Sequence, residues 1–176
     1  MKNFIPAFLL TTLFSCSSKL PEVKTAENVD IQRFMGKWYV IANIPTFIEK
    51  NAHNATETYT WNEKEERIDV DFFFNKDKAD GEKKSYPQKA WVHNKKTNSE
   101  WRIQFFWPVK FAYLIMDVAP DYSYTVIGVP DRDHVWIMAR KPVLEDGVYQ
   151  KLIQSIQAQQ FDISKIEKVP QDSSKN

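Results

Sequence analysis

The side chains that could carry chemistry are few and scattered. His53, His93 and His134 stand about forty residues from one another, so no local pair has the spacing of a metal site. The single cysteine, Cys16, excludes an intramolecular disulfide and every multi-cysteine zinc or iron–sulfur centre. Serine, histidine and aspartate are present, but no nucleophile elbow selects a catalytic triad. Asp69 and Asp71 alternate with Ile68, Val70 and Phe72, which sends the two carboxylates to solvent and not to a shared acid–base site. We therefore assign no catalytic residue, no metal and no cofactor, and expect a binding protein and not an enzyme. Rings are the abundant resource: 12 Phe, 7 Tyr and 6 Trp in 176 residues can line a cavity or fill an extensive sheet core.

Composition narrows the partners further. Lys plus Arg number 24 against 23 Asp plus Glu, a net charge of +1 that leaves no broad electrostatic footprint for nucleic acid. The four glycines, Gly36, Gly81, Gly128 and Gly147, are too far apart to build a phosphate-cradling loop. One domain is expected at this length, and nothing in the composition speaks against a homodimer.

Cys16 ends an N-terminal segment made of Lys2, an apolar run from Phe4 to Phe14, and Leu13-Phe14-Ser15-Cys16. The run is too short for a spanning helix, which needs about 20 residues, and reads as a secretory signal over 1–15. Leu at −3 and Ser at −1 resemble a bacterial lipobox, in which the cysteine is lipidated and becomes the mature N-terminus. Two or three acyl chains anchor stably where one does not, at about 0.8 kcal/mol per buried methylene. Residues 16–30 then form the lipidated terminus and a polar tether with a reach of roughly 20 Å.

From Arg33 onward, short β-prone segments alternate with polar loops, most clearly in Arg67-Ile68-Asp69-Val70-Asp71-Phe72 and Trp101-Arg102-Ile103-Gln104-Phe105. Eight strands are predicted, at about 36–45, 54–63, 66–75, 84–93, 99–107, 111–118, 122–130 and 134–140. Turn residues and charge fill the connections, as in Asn62-Glu63-Lys64-Glu65 and Asn94-Lys95-Lys96-Thr97-Asn98. Eight meandering strands can close into an up-and-down antiparallel barrel that holds one small ligand, or stack as a two-sheet sandwich. After Pro142, Val148, Leu152 and Ile156, with Tyr149 and Ile153, fall at helical spacing, predicting a C-terminal amphipathic helix packed outside the sheet. The Lys165–Val169 stretch could add a short last strand, and 171–176 is expected to be a frayed tail.

The chain resembles the lipocalin family over residues 30–169. Gly36-Lys37-Trp38-Tyr39 matches the signature Gly-x-Trp-Tyr, Asp117 to Tyr122 falls where the second signature lies, and Arg140 closes the eighth strand as the third requires. The run from Val129-Pro130-Asp131-Arg132 to Ala139-Arg140 with Pro142, and Phe161-Asp162-Ile163-Ser164-Lys165, are similar to the bacterial outer-membrane lipoproteins of that family. Apolipoprotein D and the plant temperature-induced lipocalins belong to the same group. Phe106-Trp107-Pro108-Val109-Lys110 departs from the group with an extra Trp before the Pro. The resemblance implies the eight-stranded barrel over 31–170, attachment to the periplasmic face of an outer membrane, and a fatty acid, lysophospholipid or similar amphiphile as partner. A lipid-converting enzyme on the same fold, and a filled barrel that works through its surface, are the alternatives.

Within that frame Trp38 plugs the closed end, Arg140 stacks on its ring and bonds nearby carbonyls, and Gly36 permits close approach, with Tyr39 completing the signature. If Trp38 faces inward, the period of two turns Val40, Ala42 and Ile44 inward too. Ile68, Val70, Phe72 and Phe74, then Trp101, Ile103 and Phe105, then Tyr113, Tyr124 and Trp136 complete the expected lining.

Overall fold

The computed structural model of the protein describes residues 20–172. Cys16 and the signal segment lie outside the described residues, as do residues 173–176. Eight strands follow the sequence order: β1 (Gly36–Ile44), β2 (Ala52–Asn62), β3 (Arg67–Lys76), β4 (Lys83–Val92), β5 (Glu100–Phe106), β6 (Val109–Val118), β7 (Tyr124–Gly128) and β8 (Val135–Ala139). Each pairs antiparallel with the next, and β1 pairs with both β2 and β8. The sheet therefore closes into a barrel, and the sandwich is excluded. Strand ends fall close to the predicted ones because Asn, Asp, Gly and Lys clusters set the turns.

The helix predicted from the apolar spacing is α2 (Asp146–Ala158), which follows a one-turn helix α1 (Ile31–Phe34) that the sequence did not reveal. α2 buries Leu152 and Ile156 on the barrel's outer wall, against Ile41, Ala42 and Ile137. Burying two such side chains is worth about 3–6 kcal/mol. α1 crosses the end of the barrel where β1 begins, and Asp30 caps it by accepting the Arg33 amide at 3.2 Å. That end is closed. The opposite end carries the β1–β2, β5–β6 and β7–β8 loops and is the mouth.

Three expectations are corrected. First, Ala42 and Ile44 do not face the interior: Val40 pairs with Met138 but Ala42 pairs with Ile137, so a bulge at Ile41 reverses the alternation. Ala42 and Ile44 pack under α2, and Asn43, paired with Trp136, takes the inward register. Tyr124 likewise stands on the outer wall: it pairs with Ala139 beneath α2, while its neighbour Thr125 pairs with the interior Met138.

Second, the tether is largely a docked strap. Arg132, in the β7–β8 loop, donates to the Pro21 carbonyl at 2.5 Å, the Lys24 amide donates to Gln159 Oε1, and the Ala26 and Val29 amides donate to the Ile115 and Thr97 carbonyls. Val29 is completely buried, and Val23 and Ala26 pack on the barrel clusters. The strap thus runs from the mouth to the closed end. Third, residues Gln171 and Asp172 are not frayed. β1 and β2 pair only through Gly36–Tyr39, and a last two-residue strand, β9 (Glu167–Lys168), joins β1 beyond that point. Gln171 Nε2 then bridges the Val40 and Ala55 carbonyls at 2.8 and 3.0 Å, sealing the seam.

Candidate functional site

The signature residues build the closed end. Arg140 sits 3.7 Å over the Trp38 ring and donates to the carbonyls of Lys37, Arg33, Phe34 and Met35 at 2.7–3.1 Å. Trp38 Nε1 donates to Phe34 O and Trp101 Nε1 to Asn98 O, so both indoles are satisfied by end loops. Phe34, Trp38, Tyr59 and Trp101 pack as one ring cluster with centroids 5.1–5.9 Å apart. Gly36 has φ +94°, and a Cβ there would approach the Arg140 guanidinium to 3.3 Å. Tyr39 lies outside, with Lys37 over its ring.

Above the plug the interior is close to full. Val40, Phe74, Trp101 and Ile103 are buried in the core. Phe72, Phe105, Tyr113 and Trp136 border a cavity of about 20 Å³, room for about one water. Phe105 stands at its outer edge, 39% exposed and 5.8 Å from the Phe111 ring. His134 sits at the rim, its Nδ1 3.2 Å from Ile44 O. A larger cleft of about 230 Å³ lies beside β9 and is half open to solvent; Asn43, His53, Asp77 and Lys168 give it polar walls.

The cavity also holds acids that the sequence reading missed. Glu57 is buried beside Tyr59 and Tyr113, accepting from both hydroxyls, the latter at 3.1 Å; the two phenols are themselves 2.5 Å apart. Burial pushes the Glu57 carboxyl up to about 7; its bond from Tyr59 opposes the rise and the Glu49 charge adds to it. Burial and then the Glu57 charge hold the Tyr59 and Tyr113 hydroxyls well above the usual phenol range. Glu49, from the β1–β2 loop, accepts from Trp136 Nε1 at 2.8 Å and from the Thr46 amide at 2.8 Å. The period of two carried a usable signal: Glu57 stands between the buried Ala55 and Tyr59 on one face of β2. Glu49 sits on a loop, where no periodicity exists to place it.

The mouth is fringed with uncovered apolar side chains. Phe47 is 87% exposed and Trp107 85%, and Phe106, Val109 and Phe111 are also exposed. Lys110, at the start of β6, lies 3.6 Å over the ring of Trp91 on β4.

Comparison with known proteins agrees with the architecture. The family model described as Lipocalin-like domain matches residues 29–171. Temperature-induced lipocalin-1 of Arabidopsis thaliana is 29% identical over 159 residues, covering 85% of this chain and 83% of the relative. Outer membrane lipoprotein Blc of Escherichia coli K12 is 29% identical over 170 residues, covering 96% and 93%. Apolipoprotein D of Bos taurus is 27% identical, covering 84% and 80%. Among solved structures, insecticyanin from the tobacco hornworm superposes with a TM-score of 0.66 at 20% identity, over 89% of this chain and 87% of that one, a likeness of fold. With its closed eight-stranded barrel, its Trp38–Arg140 plug and a family match that spans nearly all the described residues, the chain belongs to the lipocalin-like family.

Proposed function

We propose that the protein is a lipid-anchored lipocalin of the bacterial outer membrane, on its periplasmic face, that binds one single-chain amphiphile, such as a fatty acid or lysophospholipid, in membrane maintenance. The observation that carries this reading is the barrel's asymmetry. One end is plugged by Trp38 and Arg140, and the other opens through Phe105 onto a cavity walled by Phe72, Tyr113 and Trp136. Access at one end only suits a long ligand with one polar end. Admission requires the mouth rings Phe105 and Phe111 to swing outward, and both are already partly exposed. Family membership and the Blc relatives support the location, and the apolar fringe of Phe47, Phe106 and Trp107 suits a lipid surface.

Two experiments test it. Quenching of tryptophan fluorescence by a fatty acid or lysophospholipid, below its aggregation concentration, should give micromolar or tighter binding, and Phe72→Asp should weaken it at least about tenfold, a cost of about 1.4 kcal/mol. Unchanged binding by Phe72→Asp removes this pocket from the reading. The small cavity favours a second reading, a barrel that stays closed and acts through its surface; a wild type that binds no single-chain amphiphile would establish it. For the anchor, Cys16→Ser should release the protein from membranes or stall its processing. Unchanged fractionation, with no acyl mass on the wild type, overturns lipidation.

A further inference from the structure

The cavity's polar wall is one-sided in charge. Thr46, Glu49, Glu57, Gln88, Tyr113 and Trp136 contribute to its lining, and no lysine, arginine or histidine does. Two carboxyl groups therefore share one small chamber without a cation. Glu57 lies at its floor, in register with Trp38 on β1 and Phe72 on β3. Glu49 reaches into it from the loop above.

Two further polar groups line the same wall. Gln88 is only 6% exposed and turns its amide side chain to the cavity wall. The Thr46 hydroxyl, on the same wall, is buried without a partner among the described residues. A buried hydroxyl left unbonded destabilises the fold, and an occupant with the right group would satisfy it. Glu57 already accepts from Tyr59 and Tyr113, and Glu49 from Trp136, so the phenol and indole donors are spent. The Gln88 amide and the Thr46 hydroxyl can each donate or accept, so they take either kind of guest. The charged groups decide the matter, because two carboxylates offer lone pairs and no donor. A guest that brings donors and positive charge meets both of them; a guest that brings a carboxylate meets two like charges.

We propose, resting on the ligand-binding reading above, that the barrel takes its amphiphile nitrogen first. The ligand carries an ammonium group seated between Glu57, Glu49 and Gln88, and its chain runs out past Phe72 and Phe105 to the mouth. The three N–H donors of a primary ammonium match two carboxylates and the Gln88 carbonyl oxygen, and its charge faces the two carboxyl groups of a chamber that holds no cationic side chain. The chain end then lies against the exposed rings of Phe106, Trp107 and Phe111, where an apolar tail belongs. Anionic fatty acids become the weaker ligands of this site.

Dodecylamine, dodecanol and dodecanoate share one chain and differ only at the head, so their binding to the mature chain at pH 8, by calorimetry and by tryptophan quenching, isolates the head. Dodecylamine should bind at least about tenfold tighter than dodecanoate, with dodecanol between them. Glu57→Gln, which keeps the side chain's shape, should bring amine and carboxylate within about threefold of each other. Gln88→Leu should weaken dodecylamine several-fold, and serves if Glu57→Gln does not fold. Dodecanoate binding as tightly as dodecylamine, or a preference for the amine that survives both substitutions, overturns the nitrogen-first orientation and leaves the amphiphile reading standing. Failure of all three to bind overturns both.

Discussion

Arg140→Ala is expected to lower the stability of the barrel by about 2–4 kcal/mol. The guanidinium serves four carbonyls of the segment Arg33–Lys37 and covers the Trp38 ring at 3.7 Å. Charged hydrogen bonds contribute about 1.5–3 kcal/mol each when counted singly, and a stacked cation about 0.5–2. Water reaches part of this site and would take over some of the bonds, so the sum is not additive. Arg140→Lys keeps the charge but cannot fork across four acceptors, and should fall between alanine and wild type. Lys64→Ala, on an exposed turn, should stay within about 0.5 kcal/mol of wild type. Urea midpoints measure all three; equal midpoints for Arg140→Ala and Lys64→Ala would remove the structural role.

The second large effect is a dependence of stability on pH. Glu57 is held near 7 in the folded chain and returns to about 4.5 when unfolded. Between those values the folded state keeps a proton that the unfolded state gives up, so stability falls as pH rises. The contribution is complete below about pH 4.5 and gone above about pH 7. Its size is of order 3 kcal/mol, since each tenfold change in proton affinity is worth about 1.4 kcal/mol. Denaturant midpoints at pH 5 and pH 8 should therefore differ clearly for wild type and much less for Glu57→Gln, which never ionises. An equal pH slope in both proteins would assign the dependence to other groups.

How far the sequence could be read depended on whether exposure alternates. In β3 the acids Asp69 and Asp71 interleave with Ile68, Val70 and Phe72, and the apolar three lie in the interior cluster. In β1 the stretch Val40-Ile41-Ala42-Asn43-Ile44 has no such alternation, because one wall faces the core and the other faces α2; a bulge there leaves no mark in the composition. Tyr124-Thr125-Val126-Ile127 in β7 hides its register for the same reason. Glu57 went unread for another reason: a carboxylate flanked by Thr56 and Thr58 resembles a solvated strand face, yet it points into the barrel, where Tyr59 and Tyr113 receive it. The closed end was legible because Trp38, Gly36 and Arg140 are tied to local motifs. The acid chamber was not, because it is assembled by β2, β3, β4, β5, β6, β8 and a loop, which no spacing along the chain connects.

The docked strap changes the distance at which the protein can work. With Cys16 as the point of attachment, a free run to Asp30 could extend to about 50 Å, but the Arg132 bond to Pro21 leaves only five Cα steps, at most about 18 Å. Those steps begin at the mouth, since Arg132 lies in the β7–β8 loop. Under the proposed anchor the rim would be confined to a thin layer over the bilayer, and the local concentration of an amphiphile leaving that bilayer, as seen by the mouth, would rise as the accessible volume shrinks. On the anchored reading proposed above, Arg132 would set a capture radius: it would govern how much bulk water a ligand must cross before it meets the barrel.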